Sequence, residues 1–223
     1  MTKDSSVQEE WFQRIWRLRE EEIYPRLFGD VGREIHTIKP ELFKSLGSQN
    51  VDPRWLTHGV LCSPPGPGRE SWLYISSGLS NPWGVDPDLV KADEFSGLGF
   101  EFLMQTQQRA PWAIEVLNWL MAMQILIAVG EVQGQLLEVF DRVPLGKSID
   151  GGRSLLRNLL ITESEDIPPR LQMESGVVDF LLCVGITDAE LQFARAQGGP
   201  GLLKLLKHHE FFPITGPNRV STV

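Results

Sequence analysis

Two aromatic, apolar runs separated by a loop of about twenty residues constrain this chain more than any other feature. Trp72-Leu73-Tyr74-Ile75 and Leu98-Gly99-Phe100-Glu101-Phe102-Leu103 both have strand character, and the stretch between them is rich in Pro, Gly and Asp. Loops that long are uncommon in compact domains and are mostly functional. In the second strand, Leu98, Phe100, Phe102 and Met104 share one face, and Gly97, Gly99, Glu101, Leu103 and Gln105 share the other. Alternation places Glu101 on the wetter side of a sheet, and Asp179 within Val178-Asp179-Phe180 reads the same way.

Around this pair the chain alternates helices and strands. Val7 to Phe28 has helical periodicity, with Trp11, Ile15, Leu18 and Ile23 inward and Arg14, Arg17, Arg19, Glu20, Glu21 and Glu22 as its wet face. Residues Asp30 to Pro53 read as irregular, with a short helix at Pro40 to Leu46. Trp55 to Cys62 reads as a strand that turns at Ser63–Gly68 into Ser71–Ser76, a hairpin whose open edge would accept an added strand. Pro111 opens a helix to Val129 that is apolar nearly all round and so predicts the central buried helix. Then come a strand-like Gln135 to Asp141, a loop from Val143 to Ser154, a strand at Leu155 to Thr162 and an acidic turn. Gly176 to Ile186 is the most hydrophobic strand. Thr187 with Glu190 three residues later is a capping box for the next helix. A leucine helix follows at Gly201 to His209, and Phe211 to Pro217 reads as a last short strand.

Composition narrows function. A net charge of −8 argues against a nucleic-acid surface, which needs a basic footprint. Glu115, Asn118 and Gln124 interrupt the run from Trp112 to Val129, which argues against a membrane span. The polar start MTKDSSVQEE has no signal core, and Cys62 and Cys183 read as buried free thiols, so a reducing cytoplasm is expected. No zinc, nucleophile-elbow or phosphate-loop pattern occurs, and no cofactor is expected.

The order Tyr74-Ile75-Ser76-Ser77-Gly78-Leu79-Ser80, then Trp83-Gly84, then Ser96-Gly97-Leu98-Gly99-Phe100-Glu101 resembles the Suppressor of fused family. So do Pro111-Trp112, Leu159-Leu160-Ile161-Thr162-Glu163, and Gly176 to Leu191 with Gly201 to Leu206, so the likeness runs from about Trp55 to Gly216. The resemblance implies an α+β domain, with a mixed, mostly antiparallel sheet packed against the long central helix and the C-terminal helices. It implies one domain over 1–223, with an N-terminal helical part (1–50) and a core (52–216), like stand-alone bacterial members. It further implies a non-enzymatic binder of another protein or peptide, and some such members serve as immunity proteins against toxin domains. The acidic surplus favours a basic partner.

By position, the resemblance implies that Trp83 and Asp93 contact the bound peptide. Trp83 stands where the family usually has Tyr, which exchanges a hydroxyl for an indole N–H. Tyr74 and Glu101 complete the candidate binding set. Each has a structural alternative: Trp83 packing the loop onto the core, Asp93 a solvated turn residue. Two other readings compete with a binding module. One is an enzyme or small-ligand binder in which Asp93, Glu101 and a histidine converge in one pocket. The other is a structural role in a homo-oligomer.

Overall fold

The computed structural model describes residues 3–32 and 34–223, with side chains from Val7 onward. Met1 and Thr2 of the polar start, and Arg33 in the irregular stretch, lie outside it.

Helix α1 (Lys3–Arg17) continues through a π-helical turn (Leu18–Ile23) into α2 (Tyr24–Phe28). The π turn redirects the helix. Tyr24 N–H bonds to the Arg19 carbonyl, five residues back, so the turn takes an extra residue and the faces slip. Arg19, placed by 3.6-residue periodicity on the wet face, is instead fully buried, while Trp11 and Ile15 pack with Met173 and Val178.

The sheet contains β1 (His36–Thr37), β2 (Gly59–Ser63), β3 (Trp72–Ser77), β4 (Phe95–Thr106), β5 (Arg142–Pro144), β6 (Leu156–Thr162), β7 (Arg170–Met173) and β8 (Gly176–Thr187). Their order is β1-β2-β3-β4-β8-β6-β5, with β7 also paired to β8. All named pairs are antiparallel except the central one, where β4 and β8 run parallel, with Glu101 beside Phe180 and Leu103 beside Leu182. The remaining helices are α3 (Pro40–Ser45), α4 (Pro111–Ala128), α5 (Asp188–Gln197) and α6 (Gly199–His208).

Helices cover both faces of this sheet. Phe100, Phe102, Met104, Leu181 and Cys183 face α4 through Leu117, Leu120 and Met121. Leu103, Phe180, Leu182 and Val184 face Tyr24 and Phe28 of α2, Leu191 of α5 and Leu202 and Leu206 of α6. Each such side chain contributes about 1.5–3 kcal/mol on burial. The apolar character of α4 is accounted for here, since half of it is buried within the fold. The capping box forms as the sequence predicts: Thr187 Oγ1 accepts from Glu190 N–H, and Glu190 accepts from Thr187 N–H.

Several elements differ from the sequence reading. Trp55 is not in a strand: Asp52 caps a 3₁₀ turn (Pro53–Thr57) by accepting from Arg54 N–H, and Pro53 suits a first helical position. Residues 135–141 form no strand, and the Gln124 side chain takes up Leu137 N–H instead. The Val143–Ser154 loop begins inside β5. Residues 211–217 make only an isolated bridge, Ile214 to Gln105. The hairpin edge is not open either. The β2 strand carries β1 along it, and Gly32 N–H bonds to the Cys62 carbonyl. Burial raises the thiol pKa of Cys62 to about 11 and lifts that of Cys183 further, so neither is an activated nucleophile.

Candidate protein-binding site

The long loop leaves β3 at a turn built around a buried carboxyl group. Glu101 is fully enclosed on β4, because α2 and the π turn cover the face that alternation marks as wet. Its Oε1 accepts from Gly78 N–H (3.0 Å), Ser80 N–H (2.9 Å) and Ser80 Oγ (2.7 Å), and its Oε2 accepts from Ser76 Oγ. Arg19 reaches in from the π turn: Nη1 donates to Ser80 Oγ (2.8 Å) and Nη2 to Ser77 Oγ (2.9 Å) and Glu20 (3.1 Å). Its guanidinium stands 4.0 Å from Glu101 Oε1. Hydrogen bonds to charged groups of this kind contribute about 1.5–3 kcal/mol each.

Two glycines let the turn close this tightly. Gly78 has φ 133°, and a Cβ there would sit 2.4 Å from the His58 ring. Gly97 has φ 58°, and a Cβ would sit 2.5 Å from the Leu79 carbonyl, which also accepts Leu98 N–H at 2.7 Å. His58 is buried against this turn. Burial, its largest influence, lowers its pKa, while the nearby Glu101 opposes the shift.

Beyond the turn the loop is well tethered. Ser96 Oγ donates to the Ser80 carbonyl (2.8 Å), Gln172 of β7 donates to the Ala92 carbonyl (2.8 Å), and Asp86 caps a short 3₁₀ turn (Pro87–Leu89). Trp83 is half-buried and stacks on Phe12 of α1, with ring centroids 4.0 Å apart and planes 26° from parallel. The Arg54 guanidinium lies 5.9 Å from the Trp83 ring. Trp83 Nε1 is buried and has no hydrogen-bond partner among the described residues. Trp83, Trp11, Phe12 and Val85 help line a small hollow of about 170 Å³ between loop and helix. Asp93 is exposed farther along, with Asp86, Asp88 and Glu94 also exposed.

The four candidate residues therefore divide. Trp83 and Asp93 lie on the loop, and Glu101 holds its base. Tyr74 sits on the other face of the sheet, fully buried against α4, where its hydroxyl accepts Ala110 N–H (2.5 Å). Tyr74 anchors the start of the helix rather than the loop. The enzyme reading needed Asp93 and Glu101 in one pocket, and the structure puts one on the surface and the other in the interior. Among the described residues no cluster of three metal-ligating side chains occurs. The sequence reading missed Arg19, Phe12 and His58, which come to the loop from distant segments. The one signal for them was a lone Glu in an apolar strand facing a Ser-rich turn.

Against known proteins, the family model described as Suppressor of fused protein matches residues 55–220. The chain belongs to the Suppressor of fused family. Solved structures share its fold. A chain from the crystal structure of the Sufu–Fu complex is 24% identical, with 95% of this chain and 91% of that one covered and a TM-score of 0.64. Drosophila Suppressor of Fused is 23% identical over 74% of this chain and 42% of its own, with a TM-score of 0.57. A Suppressor of fused homologue from Neisseria gonorrhoeae is 20% identical over 74% of this chain and 78% of that one, with a TM-score of 0.53. A search of curated proteins finds no match. The family assignment agrees with the resemblance carried by the Tyr74–Ser80 and Ser96–Glu101 segments, and the α+β sheet is the fold it implies.

Proposed function

We propose that this Suppressor of fused domain binds a partner protein without catalysing a reaction, through the loop of residues 81–96 and the adjoining face of α1. The observation that carries the reading is the Glu101 cluster: a buried carboxyl group, two main-chain N–H groups and Arg19 hold the base of an otherwise exposed loop in one conformation. Fixing a contact loop in advance lowers the ordering cost of association. Half-buried Trp83 offers the exposed part of its aromatic ring and Asp93 an exposed carboxylate, a pairing suited to an extended segment carrying Lys or Arg. The neighbouring Asp86 and Asp88 and the net charge of −8 favour the same basic partner. A fold relative in a complex with Fu supports a protein partner. The fold relative from Neisseria gonorrhoeae supports a bacterial setting, in which the narrower role is sequestration of a toxin domain in the cytoplasm.

The test is affinity capture from native lysate by the wild-type chain and by a Trp83→Ala/Asp93→Ala variant, with mass spectrometry of what is retained. A protein held by the wild type and lost by the folded variant supports the loop site. Equal retention by both would move the site off the loop, and capture of nothing specific would count against a binding role.

A further inference from the structure

The two ends of the sheet approach each other over α4. Among the described residues, strand β1 pairs only with β2 and β5 only with β6, so each has one side with no strand described on it. The β1 segment (34–39) and the chain just after β5 (145–151) form opposite walls of a groove of about 670 Å³, floored by the first turns of α4. Its floor and flanks are apolar: Leu42, Ile114, Val116, Trp119, Leu145 and Ile149. The volume is that of a site for a ligand of several residues. None of its residues belongs to the loop of the proposed function, so the groove is independent of that reading.

Two observations define what would fit. Asn118 lies in the floor with its amide split in role. Its Nδ2 donates to the His36 carbonyl (3.2 Å), while its Oδ1 is buried and finds no donor among the described residues. A buried acceptor left unpaired is costly, so a small turn of the Asn118 side chain that lets it meet a main-chain N–H of an entering segment is favourable. The rim is charged but unpaired: Glu34, Lys39, Glu115 and Lys147 line the groove and make no ion pair among the described residues. Glu34 and Lys39 bracket β1, and an extended stretch of that length spans about 16 Å. Among the described residues, Glu34 thus lines one end of the β1 wall and Lys39 the other.

We propose that this seam is a second binding site, which takes an extended peptide segment of a partner protein. The segment has alternate apolar side chains, a cation at the Glu34 end and a carboxylate at the Lys39 end. Strand addition along an edge supplies the main-chain contacts, and the charged ends set its direction.

A phage library of random peptides of about twelve residues is selected on the full chain, with a parallel selection on a Lys39→Glu/Lys147→Glu variant. Both lysines are exposed, so the variant should fold, which circular dichroism checks. Selected peptides are then titrated into isotope-labelled protein. The expected result is shifts confined to amides of 34–39, 114–119 and 145–151, with affinity falling at least about tenfold in the charge-reversed variant. Asn118→Leu should weaken binding as well. Shifts confined to residues 81–96, unchanged affinity after charge reversal, or no enrichment over background would each overturn the proposal. All three would leave the loop reading standing, and the first would strengthen it.

Discussion

Two buried Arg–Glu groupings tie the chain ends to the sheet, and they are built differently. At the C-terminal side Arg219 meets Glu190 directly, with Nη1 to Oε1 at 2.7 Å and Nη2 to Oε2 at 2.6 Å. Glu190 also accepts the N–H groups of Thr187 and Thr222. At the N-terminal side Arg19 stands 4.0 Å from Glu101, and Ser80 Oγ lies between them, accepting from the arginine and donating to the carboxylate. The first is a closed two-pronged clamp at the start of α5. The second is an open relay whose middle member belongs to the turn that launches the long loop. The clamp closes on itself, whereas the relay connects the N-terminal helix to the base of the loop.

The largest effect is expected from breaking the clamp. Glu190→Ala leaves Arg219 buried and unpaired and removes half of a capping box, so unfolding free energy should fall by about 3–5 kcal/mol in urea denaturation. Partner capture by the loop should persist wherever the variant remains folded. Glu101→Gln should cost less, about 1–3 kcal/mol, because the amide oxygen can still accept both the Gly78 and Ser80 N–H groups, more weakly than a carboxyl group does. Its distinguishing signature is faster hydrogen exchange at Gly78 and Ser80 together with weaker partner capture. A double-mutant cycle sharpens the contrast: the Arg219/Glu190 coupling should exceed the Arg19/Glu101 coupling, since a serine relays the second. If the two couplings were equal, the relay description would fail.

The division between what could and could not be read in advance follows from distance along the chain. The capping box, α4 and the long strands β4 and β8 were legible because each is fixed by residues within a few positions. Arg19 was misplaced because Arg17, Glu20, Glu21 and Glu22 around it are charged, and nothing local announces a π turn. Glu101 was misplaced because alternation identifies a wet face only when one face of a sheet is open, and here both are covered. Strands β1 and β7 are too short to produce a period. At the candidate site, Trp83 and Asp93 were legible as loop residues. The partners Phe12 and Arg54 were not, because the fold alone brings them beside Trp83.

Acid should separate the two groupings. Burial holds the His58 pKa below its ordinary 6.5, so the unfolded chain takes up that proton first. Its contribution is therefore whole above about pH 6.5 and is lost as pH falls through the lower folded value. For Glu190, burial alone would raise the pKa, but Arg219 and the Thr187 and Thr222 N–H groups outweigh it and bring the net value below 4.5. That contribution is present above about pH 4.5 and disappears only as pH drops through the depressed value. The turn beside the loop should thus loosen at milder acidity than the clamp. Urea midpoints of the wild type and His58→Asn, compared across this range, check the order: the difference between them should change below about pH 6.5. The smallest effect is expected at Asp93. Exposed and unpaired, its change to Ala should alter stability by no more than about 0.5 kcal/mol while reducing partner capture.

The parallel junction between β4 and β8 carries a consequence for how a cell makes this protein. Phe95 pairs with Val177 and Leu103 with Leu182, so the middle of the sheet joins residues that leave the ribosome far apart in time. When β4 has emerged, β3 can pair with it at once, but its other side has no neighbour until β8 is synthesised. During that interval an open strand edge flanked by Phe100, Phe102 and Leu103 is presented to every other nascent chain nearby. Slow translation between α4 and β8 would prolong the exposure. A fragment ending after α4 would never close it.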